Sequence, residues 1–130
     1  MSGSGLLAVV GAHLSGQPLN RQLVARGAEL VETTHTAPSY RLYALATDPP
    51  KPGLVRVSDG GTSIEVEVWR LDAEAFGDFV WQVPRPMTIG KVELVDGSLI
   101  SGFGVEQIAL VGAPDISSYG GWRAWLATRP

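Results

Sequence analysis

The sequence predicts an α+β domain built on a curved, largely antiparallel sheet or small mixed β-barrel, with helices packed against it. Three observations favour this fold class. About seven short stretches have the pattern of β-strands, while two or three have helical periodicity. The two kinds do not alternate in the regular rhythm of a parallel α/β sheet. The chain has 130 residues, a length that suits one domain with one core.

The beginning of the chain predicts a strand, a loop and a helix. Residues 6–10 are an apolar run that ends at a glycine, so we expect a buried strand there. Residues 11–18 contain glycine, serine and proline, and they predict a loop. Asn20 is placed to cap a helix over residues 21–31, in which apolar residues recur at near-helical spacing.

Two further strands are predicted on either side of a proline-rich loop. Residues 40–45 alternate between two faces, as a half-buried strand does. Residues 48–53 contain three prolines, which remove amide donors and fix the backbone, so we expect a stiff loop. Residues 54–57 are a short apolar run that predicts the second of these strands.

The middle of the chain predicts a strand followed by the longest helix. Residues 64–71 alternate apolar and polar side chains, which is typical of a strand. Asp72 is a preferred N-cap residue, and residues 73–83 carry an apolar face at helical spacing. Pro84 and Pro86 then end the helix, because proline cannot continue it.

The last part of the chain predicts a hairpin, a strand and a closing helix. Residues 92–95 and 98–103 flank Asp96-Gly97, a pair that is typical of two-residue hairpin turns. Residues 107–111 are apolar and predict another strand, and residues 122–128 predict a short closing helix.

Composition and charge exclude several classes of function. A formal net charge of −3 offers no basic surface for nucleic acid or an anionic membrane. The chain has no cysteine and only two histidines, so we expect no disulfide, no metal site and no cofactor. No apolar run approaches the ~20 residues of a membrane helix. We expect a cytoplasmic protein with a flexible start at residues 1–5 and a single domain over residues 6–130.

The loop after the first predicted strand is the leading candidate site. Gly11-Ala12-His13-Leu14-Ser15-Gly16 has glycine at both ends, which lets N–H groups turn towards one cavity and bind carboxylate or phosphate oxygens. An ordinary strand-to-helix connection is the alternative. The ordinary pKa of histidine, ~6.5, allows both protonation states near neutrality. His13 is therefore either a proton donor to a bound anion or a surface histidine.

Other polar side chains are weaker candidates. Arg41 lies in a predicted strand beside Tyr40, where it either holds a carboxylate with two hydrogen bonds or is an ordinary surface arginine. Glu106 precedes an apolar run, so it is either partly buried and paired or catalytic. Glu65 and Glu67 share one face of one strand, and we interpret them as an exposed polar face rather than an acid–base pair.

An ordered series of segments resembles the C-terminal domain of the allophanate hydrolases. The similarity runs from about residue 6 to about residue 126, nearly the whole chain, and is carried by the series rather than by one motif. The segments are residues 7–14 (LAVVGAHL) with Gly16, Pro18, Leu19 and Asn20, residues 36–45 (TAPSYRLYAL), 51–54 (KPGL), 64–69 (IEVEVW), 76–77 (FG), 89–92 (IGKV), 102–103 (GF) with Glu106, 115–117 (DIS) and 120–123 (GGWR).

The resemblance implies a fold similar to the gamma-glutamyl cyclotransferases, a small mixed barrel with flanking helices. In those relatives the loop after the first strand binds a substrate carboxylate through backbone N–H groups. Residues 11–14 match that loop, so Gly11, Ala12 and Leu14 are implied to bind substrate. The catalytic glutamate of the cyclotransferases has no counterpart, because residues 80–86 contain no carboxylate.

The resemblance also implies a reaction. Full-length allophanate hydrolases join this domain to an amidase, and the C-terminal domain is proposed to assist decarboxylation of N-carboxycarbamate in urea or allophanate nitrogen metabolism. On this hypothesis the amides of residues 12–14 hold one carboxylate, Arg41 holds the other, and His13 supplies the proton. Tyr40 adds a hydrogen bond and Glu106 orients a neighbouring group. The amidase, encoded separately, is the implied partner.

Whether the chain turns over a substrate stays open at the level of sequence. One alternative is a non-catalytic module that senses an anion or serves as a scaffold for an amidase. Another is a cyclotransferase in which Glu106 is a relocated acid. The sequence also leaves open a homo-oligomer.

Overall fold

The structure is a computed structural model that describes residues 5–129, so most of the predicted flexible start lies outside the described residues. Strands and helices both occur, which confirms the α+β class. The strands are β1 (Leu6–Val9), β2 (Glu29–His35), β3 (Tyr40–Leu45), β4 (Lys51–Arg56), β5 (Glu65–Arg70), β6 (Met87–Glu93) and β7 (Leu99–Val105). The helices are α1 (Arg21–Val24), α2 (Ala73–Gln82) and α3 (Trp122–Leu126), with 3₁₀ turns at Gln107–Leu110 and Ser117–Tyr119. In the described part of the chain, no helix is long and apolar enough to cross a membrane.

The strands form a five-stranded sheet in the order β2-β5-β1-β7-β6 and a separate hairpin of β3 and β4. β1 lies at the centre, antiparallel to β5 and parallel to β7, and the other pairs in the sheet are antiparallel. The edge strands β2 and β6 are connected beyond their ends by one bridge, between Thr36 and Leu94. Within residues 5–129 the pairing is therefore mixed, as predicted, but the sheet does not form a closed barrel.

The helix predicted over residues 21–31 is wrong in its second half. α1 ends at Val24, Gly27 adopts a left-handed φ of +72°, and the chain then enters β2. Glycine takes this conformation without steric cost, so it ends the helix and redirects the chain. Asn20 does not cap the helix either, because its side-chain amide donates to the carbonyl of His13 at 2.9 Å.

Two other sequence predictions are corrected by the fold. β4 begins at Lys51 and includes Pro52, which pairs with Ala44 in the register of the hairpin, so the stiff loop is shorter than expected. A proline is tolerated there because β4 pairs on one side only, as an edge strand.

Residues 107–111 do not form the strand that the sequence predicts. Ile108 is exposed while Ala109 and Leu110 pack on the core, which suits a helical turn.

The other predicted elements are present, although β6 begins at Met87, five residues before the predicted start of the hairpin, and ends at Glu93. Asp72 caps α2, since its Oδ1 accepts from the N–H of Ala75 at 2.9 Å, and α2 buries Phe79 completely. Asp96-Gly97 connects β6 and β7 in an antiparallel hairpin, with Gly97 at a left-handed φ of +88°. α3 closes the described chain and buries Trp122. This framework holds the end of β1 against β5, β7 and β4, where the candidate loop begins.

Candidate carboxylate-binding site

The loop that follows β1 contains several backbone donors without acceptors. The N–H of Leu14 donates to the carbonyl of Gly11 at 2.9 Å, and the carbonyl of Ala12 accepts from Leu19 at 2.8 Å. Among the described residues, the N–H groups of Gly11 and Gly16 at the two ends of the loop have no hydrogen-bond acceptor, and neither do those of Ala12 and His13, which lie next to each other inside it. Buried N–H groups in proteins almost always have a partner, so two adjacent free donors indicate a place for a ligand or water.

His13 is buried between two aromatic rings. It is 6% exposed, and its ring stacks on Phe103 with centroids 4.9 Å apart. Phe79 meets it edge-on at 5.2 Å. Nε2 lies 2.8 Å from Oε1 of Gln22, an oxygen that can only accept. The neutral ring therefore carries its proton on Nε2 and leaves Nδ1 with a lone pair.

The surroundings of His13 favour this neutral form. Burial lowers the pKa of His13 to about 4, because the charged imidazolium loses its hydration there. The hydrogen bond to Gln22 acts in the opposite direction, and the positive charge of Lys51 lowers the pKa further. At neutral pH the ring is uncharged and lines the site, and the acidic imidazolium form is not populated. This disfavours the predicted role of His13 as a proton donor.

Two cavities adjoin the loop and share His13, Lys51, Met87 and Phe103 as lining residues. The smaller one, which Gly11 and Ala12 also line, has room for about one water molecule. The larger one measures about 200 Å³. We call the two together the His13 cavity. Its size fits a small molecule of a few heavy atoms.

Lys51 provides the positive charge of the His13 cavity. It is 8% exposed, although lysine is almost never buried without a partner. Within residues 5–129 its ammonium group makes no ion pair and no hydrogen bond. Asp48 also lines the larger cavity, but it is exposed and does not pair with Lys51. The stem of Lys51 is therefore buried while its ammonium group is not fully buried, and this cation together with the free N–H groups of Ala12 and His13 is a set of donors for one carboxylate.

Glu67 supports the loop from β5. The prediction that it lies on an exposed face is wrong: it is 3% exposed, and it pairs in the sheet with Val9, the last residue of β1. Burial acts to raise the pKa of Glu67, but hydrogen bonds from Arg123, the N–H of Ser15 and the indole of Trp69 outweigh it. The pKa is held below its usual value, so the carboxylate is ionised.

The predicted site residues do not all lie together. Gly11, Ala12 and His13 line the His13 cavity. The N–H of Leu14 is used within the loop, and its side chain is fully buried. Tyr40 does not line the cavity, and its hydroxyl accepts from the N–H of Glu93 at 2.9 Å.

The two charged residues predicted for the site are engaged at the surface. Arg41 binds Asp115 at 2.8 Å and the carbonyl of Gly60 at 2.8 Å, and it does not line the cavity. It lies on the face of β3 opposite the buried one. Glu106 pairs with the exposed Arg85 at 3.2 Å. Neither Arg41, predicted as the second carboxylate ligand, nor Glu106, predicted as a catalytic group, therefore lines the His13 cavity.

No arrangement for a metal is present in the described residues. No group of three or more histidine, cysteine, aspartate or glutamate side chains is close enough to hold an ion. The chemistry available to the His13 cavity is therefore hydrogen bonding by the loop, the charge of Lys51 and the aromatic wall formed by His13 and Phe103.

The buried histidine predicts a pH-dependent stability. The unfolded chain binds a proton at His13 near pH ~6.5, whereas the folded chain does so only near pH 4, so stability falls as the pH drops through this window. Between about pH 7 and about pH 5, where most carboxylates stay ionised, we expect the free energy of unfolding to fall by about 2 kcal/mol. Urea denaturation at the two pH values measures it. His13→Gln, the control, should lose most of this difference; an unchanged difference in that variant would assign the effect to other groups.

Comparison with known proteins gives a consistent result. A family model described as the allophanate hydrolase C-terminal domain matches residues 5–127. The urea amidolyase of Saccharomyces cerevisiae is 47% identical over 125 residues, which cover 92% of this chain and 7% of that protein. The structure of Kluyveromyces lactis allophanate hydrolase superimposes with a TM-score of 0.90 at 42% identity, covering 94% of this chain and 21% of that one.

A smaller protein is similar over its whole length. The crystal structure of a protein specific to uropathogenic E. coli superimposes with a TM-score of 0.88 at 32% identity, covering 97% of this chain and 98% of that one. An AIG2-like protein of Mus musculus superimposes with a TM-score of 0.60 at 18% identity, which shows a shared fold alone. The chain thus spans less than a tenth of the urea amidolyase it matches and nearly all of the E. coli protein.

Proposed function

The chain belongs to the allophanate hydrolase C-terminal domain family, and from this premise we propose that its His13 cavity binds a small carboxylate and assists decarboxylation of N-carboxycarbamate. One observation carries the proposal: Lys51, whose side chain is largely buried and whose ammonium group makes no ion pair within residues 5–129, shares a cavity with a loop in which the N–H groups of Ala12 and His13 are free. A carboxylate bound there satisfies all three donors at once.

The charges of the cavity suit a substrate with two carboxylates, of which one is bound and the other is lost as CO₂. Lys51 and the N–H groups of Ala12 and His13 hold the carboxylate that is retained. The other carboxylate faces the apolar walls formed by Met87 and Phe103, with the exposed Asp48 also lining the cavity. No second cation lines the cavity in the described residues. Loss of the second negative charge as CO₂ is favoured where nothing stabilises that charge.

The proposed step is a C–N bond cleavage. The bond between nitrogen and the unanchored carboxylate breaks, its electron pair goes to nitrogen, and CO₂ leaves. The nitrogen takes one proton, and the carbamate product stays bound to the ammonium group of Lys51 by an ionic contact. Because the pKa of His13 is about 4, we assign this proton to solvent and assign the histidine ring to the shape of the cavity.

The substrate would come from an amidase. The relatives named urea amidolyase and allophanate hydrolase are much longer than this chain, which matches 7% and 21% of them. We propose that an amidase, on the same longer polypeptide or on a separate one, removes ammonia from allophanate and supplies N-carboxycarbamate. This places the domain in urea and allophanate nitrogen metabolism.

Two measurements test the proposal. Isothermal titration with malonate, a stable analogue with CH₂ in place of NH, should show one site per chain, and malonamate, with a single carboxylate, should bind within about 10-fold of malonate. CO₂ release from N-carboxycarbamate, generated in place by an allophanate-cleaving amidase, should exceed the uncatalysed rate when the domain is added. Absence of malonate binding would overturn the site, and unchanged CO₂ release would overturn the reaction.

Binding without turnover is the second candidate. The titratable groups that line the His13 cavity are a neutral histidine, a lysine and an exposed aspartate, so the cavity lacks the buried acid of a cyclotransferase. A non-catalytic anion sensor for an amidase uses the same donors. Malonate binding together with an unchanged rate of CO₂ release would favour this candidate.

A further inference from the structure

A buried carboxylate lies directly behind the loop that lines the His13 cavity. Oε1 of Glu67 accepts from the N–H of Ser15 at 2.8 Å and from the hydroxyl of Ser15 at 3.1 Å. The same oxygen accepts from the indole N–H of Trp69 at 3.1 Å. Three donors on one oxygen leave it little freedom, so Glu67 fixes the place of Ser15 relative to β5.

Arg123 completes this contact from α3. Its NH2 group donates to Oε2 of Glu67 at 2.7 Å and to the carbonyl of Ser15 at 2.8 Å. Its NH1 group lies 3.4 Å from Oε1 of Glu65. Glu67 and Arg123 therefore hold Ser15 by its N–H, its hydroxyl and its carbonyl.

The loop is held at its other side as well. The carbonyl of Ala12 accepts from the N–H of Leu19, and the carbonyl of His13 accepts from the side chain of Asn20. With both carbonyls held by these hydrogen bonds, the orientation of the N–H groups of Ala12 and His13 depends on where Ser15, two residues after His13, is anchored.

A contribution to stability alone is a poor explanation of this ion pair. The carboxylate of Glu67 is buried while the Arg123 side chain is 33% exposed, and such a pair adds little to stability because desolvation of the carboxylate offsets the attraction. Every polar contact of Glu67 to the loop is made to Ser15, the residue that ends the anion-binding segment. Arg123 also neutralises Glu67, so the carboxylate behind the loop does not repel an anion in front of it.

We propose that Glu67 and Arg123 are positioning residues that orient the N–H groups of Ala12 and His13 towards the bound carboxylate without touching it. This inference rests on the proposed function of the His13 cavity. Because Glu67 lies in β5 and Arg123 in α3, both elements influence ligand affinity, and the closing helix contributes to the binding site indirectly.

Glu67→Gln tests the inference, because it keeps the shape of the side chain and removes its charge. We expect malonate to bind about 10-fold more weakly. In two-dimensional NMR of the ligand-free protein, the amide signals of Ala12 and His13 should shift and the N–H of Ser15 should lose protection from exchange. Arg123→Lys, which keeps the positive charge, should restore part of the affinity lost in Arg123→Ala. Glu32→Gln, at an exposed position of β2 that does not contact Arg123, is the matched control and should bind malonate as the wild type does.

The outcomes separate this inference from the proposed function. If Glu67→Gln is folded and binds malonate with wild-type affinity, the positioning role is wrong. If the wild type does not bind malonate, the proposed function fails, and the shifts of the Ala12 and His13 amide signals in Glu67→Gln still test the orientation of the loop. Unchanged amide signals in that variant would overturn the inference. If Glu67→Gln does not fold, the ratio of affinities between Arg123→Lys and Arg123→Ala decides, and equal affinities would overturn it.

Discussion

Replacement of Lys51 by methionine is expected to weaken malonate binding by about 100-fold and, in the same protein without ligand, to raise the free energy of unfolding. The loss of affinity follows because a hydrogen bond to a charged partner contributes roughly 1.5–3 kcal/mol in a buried setting. Lys51 is the cation that lines the His13 cavity within residues 5–129, so no neighbouring charge replaces it. Isothermal titration gives the affinity.

The gain in stability follows from the same burial. Lys51 as a whole residue is 8% exposed, and its ammonium group, which is not fully buried, has no carboxylate partner among the described residues, so it loses part of its hydration on folding without recovering it in an ion pair. Methionine has a similar length and no charge, so we expect Lys51→Met to stabilise the ligand-free domain by about 1 kcal/mol in urea denaturation. A substitution that weakens ligand binding but stabilises the ligand-free fold is characteristic of a residue that serves binding and destabilises the folded state.

Lys91→Met is the matched control. Lys91 is exposed on β6 and does not line the His13 cavity. It should leave malonate affinity unchanged and shift stability by less than about 0.5 kcal/mol. If Lys51→Met binds malonate as tightly as Lys91→Met does, Lys51 is not a ligand of the carboxylate.

The sequence predicts the loop and its histidine, but it does not predict that Lys51 is buried beside them. An apolar run followed by Gly-Ala-His-Leu-Ser-Gly signals a strand and a loop by local pattern alone, and the structure places both as expected. Lys51 belongs to a segment with three prolines that predicts an exposed stiff loop. Its burial arises from the pairing of β4 with β3 and from the closeness of Pro52 to Gly11, which are contacts between distant parts of the chain.

The errors about Glu67 and β2 have the same origin. Alternation along β5 separates its two faces correctly but does not reveal that both are buried, with Val66 on one and Glu67 on the other. The partner that makes a buried glutamate tolerable, Arg123, lies 56 residues further along the chain. The helix predicted over residues 21–31 extends into the first three residues of β2, whose pairing with β5 makes them a strand.

Gly11→Ala is expected to abolish detectable malonate binding and to lower the free energy of unfolding by about 3 kcal/mol. A Cβ atom at Gly11 would overlap the Cδ and Cγ atoms of Pro52. The proline ring belongs to β4, is fully buried and cannot rotate away, so the loop and β4 must move apart. That movement separates Lys51, the neighbour of Pro52, from the N–H groups of Ala12 and His13. Urea denaturation and isothermal titration measure the two effects.

Gly77→Ala separates the steric cause from the mere loss of a glycine. Gly77 lies in α2, a Cβ atom there meets nothing within 4 Å, and alanine favours a helix more than glycine by roughly 0.5–1 kcal/mol. This variant should be slightly more stable and should bind malonate normally. If Gly11→Ala is as stable as Gly77→Ala, the close packing of the loop on Pro52 is not what holds it. Gly11 would then contribute only flexibility to the loop, and contacts other than its packing on Pro52 would have to place Lys51 beside the loop.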